Sequence, residues 1–313
     1  MSAKVYIDGQ AGTTGLKIVD RLQNREDITL LKIAEEDRRN PEKRAEMMAE
    51  ADFTFLCLPD DAAREAVTLA GDRTRILDAS TAHRTNPDWA YGFPELSPAF
   101  REKIASSRRT AVPGCYASGF LSLMYPMVHN GLLPADFPVF AYATSGYSGA
   151  GKNAIAQYES EDKPYEFGSP RQYALAQQHK HLPEMQKFAG LTHPPMFNPI
   201  ICDYYSGMVV SIPVQTRMLD KKITLQQVNE MFAAHYAEAK LVQVNPMMQE
   251  EQKSFFLASN TLSGQNKLEI FTFGNDEQIL LCARLDNLGK GASGAAVQCL
   301  NIMMGIDETT GLV

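Results

Sequence analysis

The sequence predicts an α/β protein: a Rossmann-type, doubly wound parallel sheet followed by an α+β part for substrate binding and oligomerisation. Three observations carry that expectation. The chain opens on a strand, a glycine-rich turn and a helix, in that order, within "KVYIDGQAGTTGLKIVDRL". Apolar runs then alternate with helical stretches as far as "VPGC", the pattern of a parallel sheet wound through crossover helices. After about residue 116 the pattern changes to strand-like alternation with helices between, and 313 residues exceed what one core usually holds.

Lys4 to Ile7 reads as the first strand. Gly9, Gly12 and Gly15 follow, then Leu16, Val19 and Leu22 at helical spacing. This G-x-x-G-x-x-G stands one position off the commonest dinucleotide fingerprint. It meets the same needs: a tight turn, close backbone approach to a pyrophosphate, and a helix N-terminus aimed at it. An ordinary βα turn is the competing reading. Ile28 to Ala34 is the second strand, and it ends at "EEDRRN". Glu35, Glu36 and Asp37 there suit a ribose hydroxyl, whereas Arg38 and Arg39 suit a 2′-phosphate, so composition leaves NAD and NADP both open. "ADFTFLCLP" is apolar almost throughout, as a central parallel strand requires, and "PDDAAREAV" starts a helix with an acidic first turn. "RILDAS" is another strand, and "RTAVPG" leads into Cys115.

Cys115 lies at a turn, between Pro113-Gly114 and the small residues Ala117-Ser118-Gly119, while "ASGFLSLMYPMVHNGLLP" reads as an apolar helix closed by Gly131. A thiol at a helix N-terminus ionises below its free value of about 8.5, since the macrodipole stabilises an anion. A cysteine that merely packs is an equal reading on spacing alone. Further on, "FPVFAYATSGYSGAGK" is a strand running into a glycine- and serine-rich loop, Ser145 to Lys152, suited to wrapping a phosphate. It lacks nucleotide P-loop spacing, which argues against ATP. "MVVSIPVQTRML" and "LEIFTFGNDEQILLCARLDN" alternate as strands, with the helix "LQQVNEMFAAHYAEA" between them. In "ALAQQHKHLPEM", His179 and His181 are two apart, so an extended backbone turns both rings to one side. No third ligand lies nearby at a familiar spacing, so no metal is expected, and two solvent-exposed rings are the plainer alternative. His83, His129, His193 and His235 point to nothing beyond packing or solvent.

A net charge of −7 argues against nucleic acid or an anionic membrane as a bulk partner. No apolar run approaches the roughly 20 residues of a membrane span, and "MSAK" passes directly into a strand without a signal peptide. Cys57, Cys115, Cys202, Cys282 and Cys299 are scattered and odd in number, as expected for free thiols in a reducing cytoplasm.

In order along the chain, "GQAGTTG", "DASTAHR", "YGFPEL", "VPGCYASG", "SGYSGAGK", "HKHLPEM" and "DNLGKGASGAAVQCLNIM" closely resemble the short-form N-acetyl-gamma-glutamyl-phosphate reductase family. Ala82-His83 before Arg84, and Ala292-Ser293, depart from its commonest pattern. In mechanism the nearest relatives are aspartate-semialdehyde dehydrogenases. The resemblance implies NADPH-dependent reduction of N-acetylglutamyl 5-phosphate to the 5-semialdehyde and phosphate, a step of arginine biosynthesis. It implies that the last helix, near Ser293 to Met304, returns to the first domain, giving domains 1–114 with 287–313 and 115–286. A cytoplasmic homodimer or homotetramer is expected. The implied cofactor contacts are Gly9, Gly12, Thr13, Thr14, Gly15, Arg38, Arg39, Ser80, Asn287 and Gly291. For the substrate they are His179, Arg84, Ser145, Gly146, Lys152 and Glu184.

The chemistry expected of such a site is attack by the Cys115 thiolate on the acyl carbon, loss of phosphate, and reduction of the thioester. His181 is the chosen acid/base, with an imidazole pKa suited to moving the proton both ways, and His179 orients substrate; the opposite assignment is the alternative. Two other classes compete: an aspartate-semialdehyde dehydrogenase-like enzyme and a non-catalytic dinucleotide sensor.

Overall fold

Val5, Tyr6 and Ile7 are buried in succession, so the first strand, β1 (Ala3–Asp8), needs cover on both faces and takes an interior place in its sheet. The computed structural model describes residues 2–248 and 255–312. It divides into two compact units, Met1–Gly114 with Ala292–Val313, and Cys115–Gly291.

In the first unit β1 is joined by β2 (Ile28–Leu31), β3 (Phe53–Leu56), β4 (Arg75–Asp78), β5 (Ala90–Tyr91) and β6 (Arg109–Ala111). Their order is β2-β1-β3-β4-β6-β5, with every pairing parallel. The crossovers are α1 (Thr13–Leu22), α2 (Pro41–Glu50), α3 (Asp60–Ala70) and α4 (Pro98–Ser106). Asn40 caps α2 by accepting from the Glu42 and Lys43 N–H groups, with Pro41 at the first helical position. β2 stops at Leu31, three residues before the expected Ala34, because its last pairing with β1 is Leu31 opposite Tyr6.

The second unit begins with α5 (Cys115–His129), then β7 (Phe140–Gly146), α6 (Lys152–Glu159), β8 (Arg171–Gln172), α7 (Leu182–Ala189), β9 (Met196–Cys202) and β10 (Met208–Gln215). After α8 (Leu225–His235) come β11 (Val242–Val244), β12 (Leu268–Gly274) and β13 (Gln278–Leu285). The mixed sheet runs β11-β12-β13-β10-β7-β9-β8, and α5 lies on β10 and β13. Gly119 brings the helix close: a Cβ there would stand 2.6 Å from Val210 Cγ2. α9 (Gly294–Met304) then belongs to the first unit, packing on α1, α4 and β4. The segment 287–291 lies in the second unit, so the return begins at Ala292 instead of the expected 287. The doubly wound parallel sheet and the α+β second unit are the architecture the sequence predicts. Among the described residues, no helix is long and apolar enough to cross a membrane.

α5 carries Cys115 at its first position and Pro126 in its interior. Proline has no N–H for the carbonyl of Ser122, four residues back. Tyr236, just past α8, supplies the missing donor: its hydroxyl donates to Ser122 O at 2.8 Å in a buried setting. Tyr236→Phe is expected to lower stability by about 1–3 kcal/mol by leaving that carbonyl unsatisfied, and urea unfolding measures the change.

Candidate active site

In the first unit the glycine turn has steric reasons for each end. Gly9 has φ +85°, and a Cβ there would stand 2.4 Å from the Cys57 carbonyl oxygen at the end of β3. A Cβ on Gly15 would stand 2.6 Å from Gly9 O, so α1 can start against the turn only with glycine present. Gly12 is the N-cap of α1, and Thr13 and Thr14 are its first residues. The cradle lies where the sheet's winding reverses, between β1 and β3, the place where parallel sheets bind nucleotides.

Beside it is a cavity of about 400 Å³ lined by Gly9, Gln10, Ile33, Arg38, Arg39 and Arg44. The Arg38 side chain leans on Glu35 at 3.4 Å. Arg44, which the sequence reading did not single out, donates to Asp8 Oδ2 through Nε and Nη2 at 3.1 and 2.9 Å. Burial lifts the Asp8 carboxyl above its ordinary range, with Arg44 pulling it down. Burial also works against the Arg44 charge, but the bonds to Asp8 prevail and its pKa rises. Glycines that admit a pyrophosphate, and three guanidinium groups around a cavity, fit a phosphorylated dinucleotide.

The "DASTAHR" segment after β4 is tied down inside the same unit. Asp78 accepts from Ser80 N–H at 2.9 Å and from the Ser80 hydroxyl at 2.8 Å. Its Oδ2 is also 2.6 Å from His83 Nδ1, whose ring stacks on Trp89 at 4.1 Å. His83, expected only to pack or face solvent, therefore has a carboxylate partner as well. Thr81 bonds to Asp60 through both its N–H and its hydroxyl. Arg84, implied by the resemblance as a substrate contact, is buried and donates to the carbonyls of Val112 (2.9 Å) and Ala79 (3.2 Å), bracing β4 against the chain beyond β6. The carboxylates Asp78 and Asp60 were the unread signal in that stretch.

In the second unit Cys115 is the first residue of α5 and only partly buried. At three of the other cysteines burial disfavours the thiolate. Burial, aided by Asp78 and Asp8, pushes Cys57 up to about 12. Burial likewise pushes Cys282 up to about 11 and raises Cys202. Cys299 is buried and donates to Gly92 O.

The imidazoles of His179 and His181 meet with ring centroids 4.7 Å apart, and His181 is only 5% exposed, which overturns the reading of two solvent-exposed rings. An extended segment is not what joins them. His181 has helical dihedrals at the start of α7, and its N–H donates to His179 Nδ1 at 3.1 Å. The approach to this turn is held by strain and clamps. Ala174 and Gln177 have φ of 53° and 55°. The Gln177 side chain both accepts from Phe197 N–H (2.9 Å) and donates to Phe197 O (3.1 Å). Left-handed non-glycine residues cost about 1–3 kcal/mol each and persist where surroundings over-determine them.

Glu184 is buried in the first turn of the same helix. Ser145 and Gly146 belong to the end of β7, not to a phosphate-wrapping loop. Ser145 is paired with β9 and β10, and Gly146 N–H donates to Gly207 O at 2.9 Å. A 3-10 turn, Tyr147–Ala150, follows, and Lys152 opens α6 on the exposed surface. Asn287 accepts from Gly207 N–H at 2.8 Å and donates to the Ser148 hydroxyl at 2.9 Å, so both ends of its amide hold the second unit together. Gly291, in a π-helical turn, lies against Cys115: a Cβ there would stand 2.8 Å from Cys115 Cβ. Structure thus groups Cys115, His179, His181 and Gly291 in one unit, and Gly9, Gly12, Gly15, Arg38, Arg39 and Ser80 in the other.

Comparison with known proteins agrees unit by unit. Residues 4–106 match the family model "Semialdehyde dehydrogenase, NAD binding domain", and residues 115–287 match "Semialdehyde dehydrogenase, dimerisation domain". Aspartate semialdehyde dehydrogenase II from Vibrio cholerae shares the fold, with TM-score 0.74 and 16% identity over 97% of this chain and 99% of that one. The fold, the glycine cradle and a partly open cysteine at a helix start define a semialdehyde dehydrogenase-type oxidoreductase with an NAD(P)-binding unit.

The nearer relatives narrow this. N-acetyl-gamma-glutamyl-phosphate reductase 2 of Nostoc sp. is 46% identical over 99% of both chains. N-acetyl-gamma-glutamyl-phosphate reductase of Burkholderia lata is 47% identical over 96% of both. Within its class, this chain belongs to the N-acetyl-gamma-glutamyl-phosphate reductase family.

Proposed function

We propose that the protein reduces N-acetyl-L-glutamyl 5-phosphate with NADPH to N-acetyl-L-glutamate 5-semialdehyde and phosphate, in arginine biosynthesis in the cytoplasm. The carrying observation is Cys115 at the first position of α5, partly open, in the unit that holds the paired imidazoles. The positive end of the α5 macrodipole favours the thiolate and the oxyanion of each tetrahedral stage. His181 takes the thiol proton, and the thiolate attacks the acyl carbon. The C–O bond to phosphate breaks with its electron pair leaving on phosphate, and a thioester remains on sulfur. Bound NADPH supplies the hydride that brings the acyl group to the aldehyde level. The resulting tetrahedral oxyanion collapses to the aldehyde and expels Cys115 as thiolate, to which His181 returns the proton it took. His179, Glu184 and Lys152 bind and orient the substrate. Because an acyl phosphate is already activated, neither ATP nor a metal is required.

The test is the reverse reaction. N-acetylglutamate semialdehyde with NADP should give NADPH only when phosphate is present. Equal rates without phosphate, or preference for the four-carbon amino aldehyde, would overturn the assignment.

The arginines of the cavity beside Gly9 support a preference for NADP. Arg38→Gln and Arg39→Gln are expected to raise KM for NADP at least about tenfold more than KM for NAD, given the worth of a charged bond to phosphate. Steady-state kinetics with both nucleotides reads this, and equal changes would remove the pair from the 2′-phosphate site.

The protein works as a homo-oligomer, a dimer or a tetramer. Phe140 and Met196, opposite each other on β7 and β9, are 51% and 53% exposed, and Tyr142 shares their face. Such a patch suits a second copy. Phe140→Glu with Met196→Glu is expected to shift the mass in light scattering toward the monomer; an unchanged mass would locate the interface elsewhere.

A further inference from the structure

The residue after the nucleophile touches both imidazoles. Tyr116 is buried at the start of α5, and its ring meets His179 edge-on at 5.6 Å and 83°, and His181 at 5.9 Å and 57°. Phe197, the strand residue clamped by Gln177, closes another side at 5.1 Å. The phenol is also anchored. Tyr173 donates its hydroxyl to the Tyr116 hydroxyl at 2.8 Å, and Tyr173 lies on the strained segment that delivers the two histidines. One ring therefore links the helix of Cys115, the segment bearing the imidazoles and strand β9.

We propose that Tyr116 is a positioning residue, whose ring is the shared wall orienting His179 and His181 toward the work of Cys115, with Tyr173 locking that wall. The inference rests on the cysteine–imidazole mechanism above. Tyr116 does not itself exchange a proton at neutral pH. Burial, then the neighbouring Tyr173 and Cys115, raise its hydroxyl well above the ordinary value. A ring serving only as core filler would be replaceable by any apolar side chain of similar volume. A ring that sets imidazole planes would not, since aromatic contacts are directional.

The experiment is a double-mutant cycle read by alkylation of Cys115 with iodoacetamide, which needs neither substrate nor cofactor, and in parallel by kcat. Tyr116→Leu is expected to slow both about tenfold with KM for NADPH little changed, and Tyr116→Phe to restore most of the loss because the ring returns. In a His181→Asn background the leucine substitution should add less than about twofold, since its effect passes through the imidazole. A full, additive loss in that background would overturn the proposal, as would a leucine variant that reacts like the parent. Should Tyr116→Leu not fold, Tyr173→Phe, at the partly exposed end of the pair, takes its place in the cycle. A loss of about two- to fivefold that vanishes beside His181→Asn supports the lock, and no loss or an additive one overturns it. Failure of the substrate assignment would appear separately, as a parent protein with no turnover whose alkylation cycle still reads coupling or its absence.

Discussion

Cys115→Ser is expected to reduce phosphate-dependent oxidation of N-acetylglutamate semialdehyde by at least about a thousandfold while NADP still binds. The oxygen nucleophile is scarcely ionised near neutral pH, whereas a thiol at a helix start is readily ionised. Three other thiols are poorly suited to take over: burial pushes Cys57 up to about 12 and Cys282 up to about 11, and raises Cys202. The proposed nucleotide contacts at Gly9, Gly12 and Arg38 belong to the other compact unit, so binding of NADP should survive. Stopped-flow absorbance of NADPH formation, beside calorimetric titration with NADP, measures both halves. Turnover above about a tenth of the parent rate would rule out a covalent thioester.

The second large effect is expected at a residue with no side chain. Gly291→Ala places a methyl 2.8 Å from Cys115 Cβ and 3.0 Å from Asp286 O. Asp286 does not yield easily. Asp286 is buried, and its carboxylate accepts from the Leu288 and Gly289 N–H groups, the Gly264 N–H and the Ser206 hydroxyl. The strain therefore falls on Cys115, the proposed nucleophile, and a displacement approaching 1 Å can cost about a hundredfold in rate. Overpacking should also lower stability by about 1–3 kcal/mol. Gly168→Ala is the control, since a Cβ there meets nothing within 4 Å. If kcat and the alkylation rate of Cys115 were unchanged in Gly291→Ala, the contact would be irrelevant to catalysis.

What could be read from sequence was local. Gly9, Gly12 and Gly15 announced a cradle by their spacing: Gly12 and Gly15 answer the nearby Gly9 carbonyl, whereas Gly9 also answers the distant Cys57 carbonyl, and the turn before an apolar helix placed Cys115 at its start. Ser145 and Gly146 were misjudged as loop because their ladder partners lie near residues 201 and 207, beyond any local window. Arg84 was offered as a substrate contact by the resemblance alone, and its guanidinium meets backbone carbonyls that only the folded sheet brings near. His179 and His181 do come together, but through a turn reached by left-handed Ala174 and Gln177, which no periodicity encodes. Tyr116 was visible as the neighbour of Cys115, and nothing in its spacing announced the rings around it.

The return of α9 to the first unit bears on how the protein is made. Residues 1–114 leave the ribosome early, but Arg25 reaches Asn301 at 2.7 Å and Arg75 reaches the Met303 carbonyl at 2.7 Å, partners translated only after the whole second unit. At about 5–20 residues per second, the nascent nucleotide-binding unit waits roughly ten to forty seconds for its last helix. During that interval the second unit can fold, so the unit synthesised first can be the last to be completed.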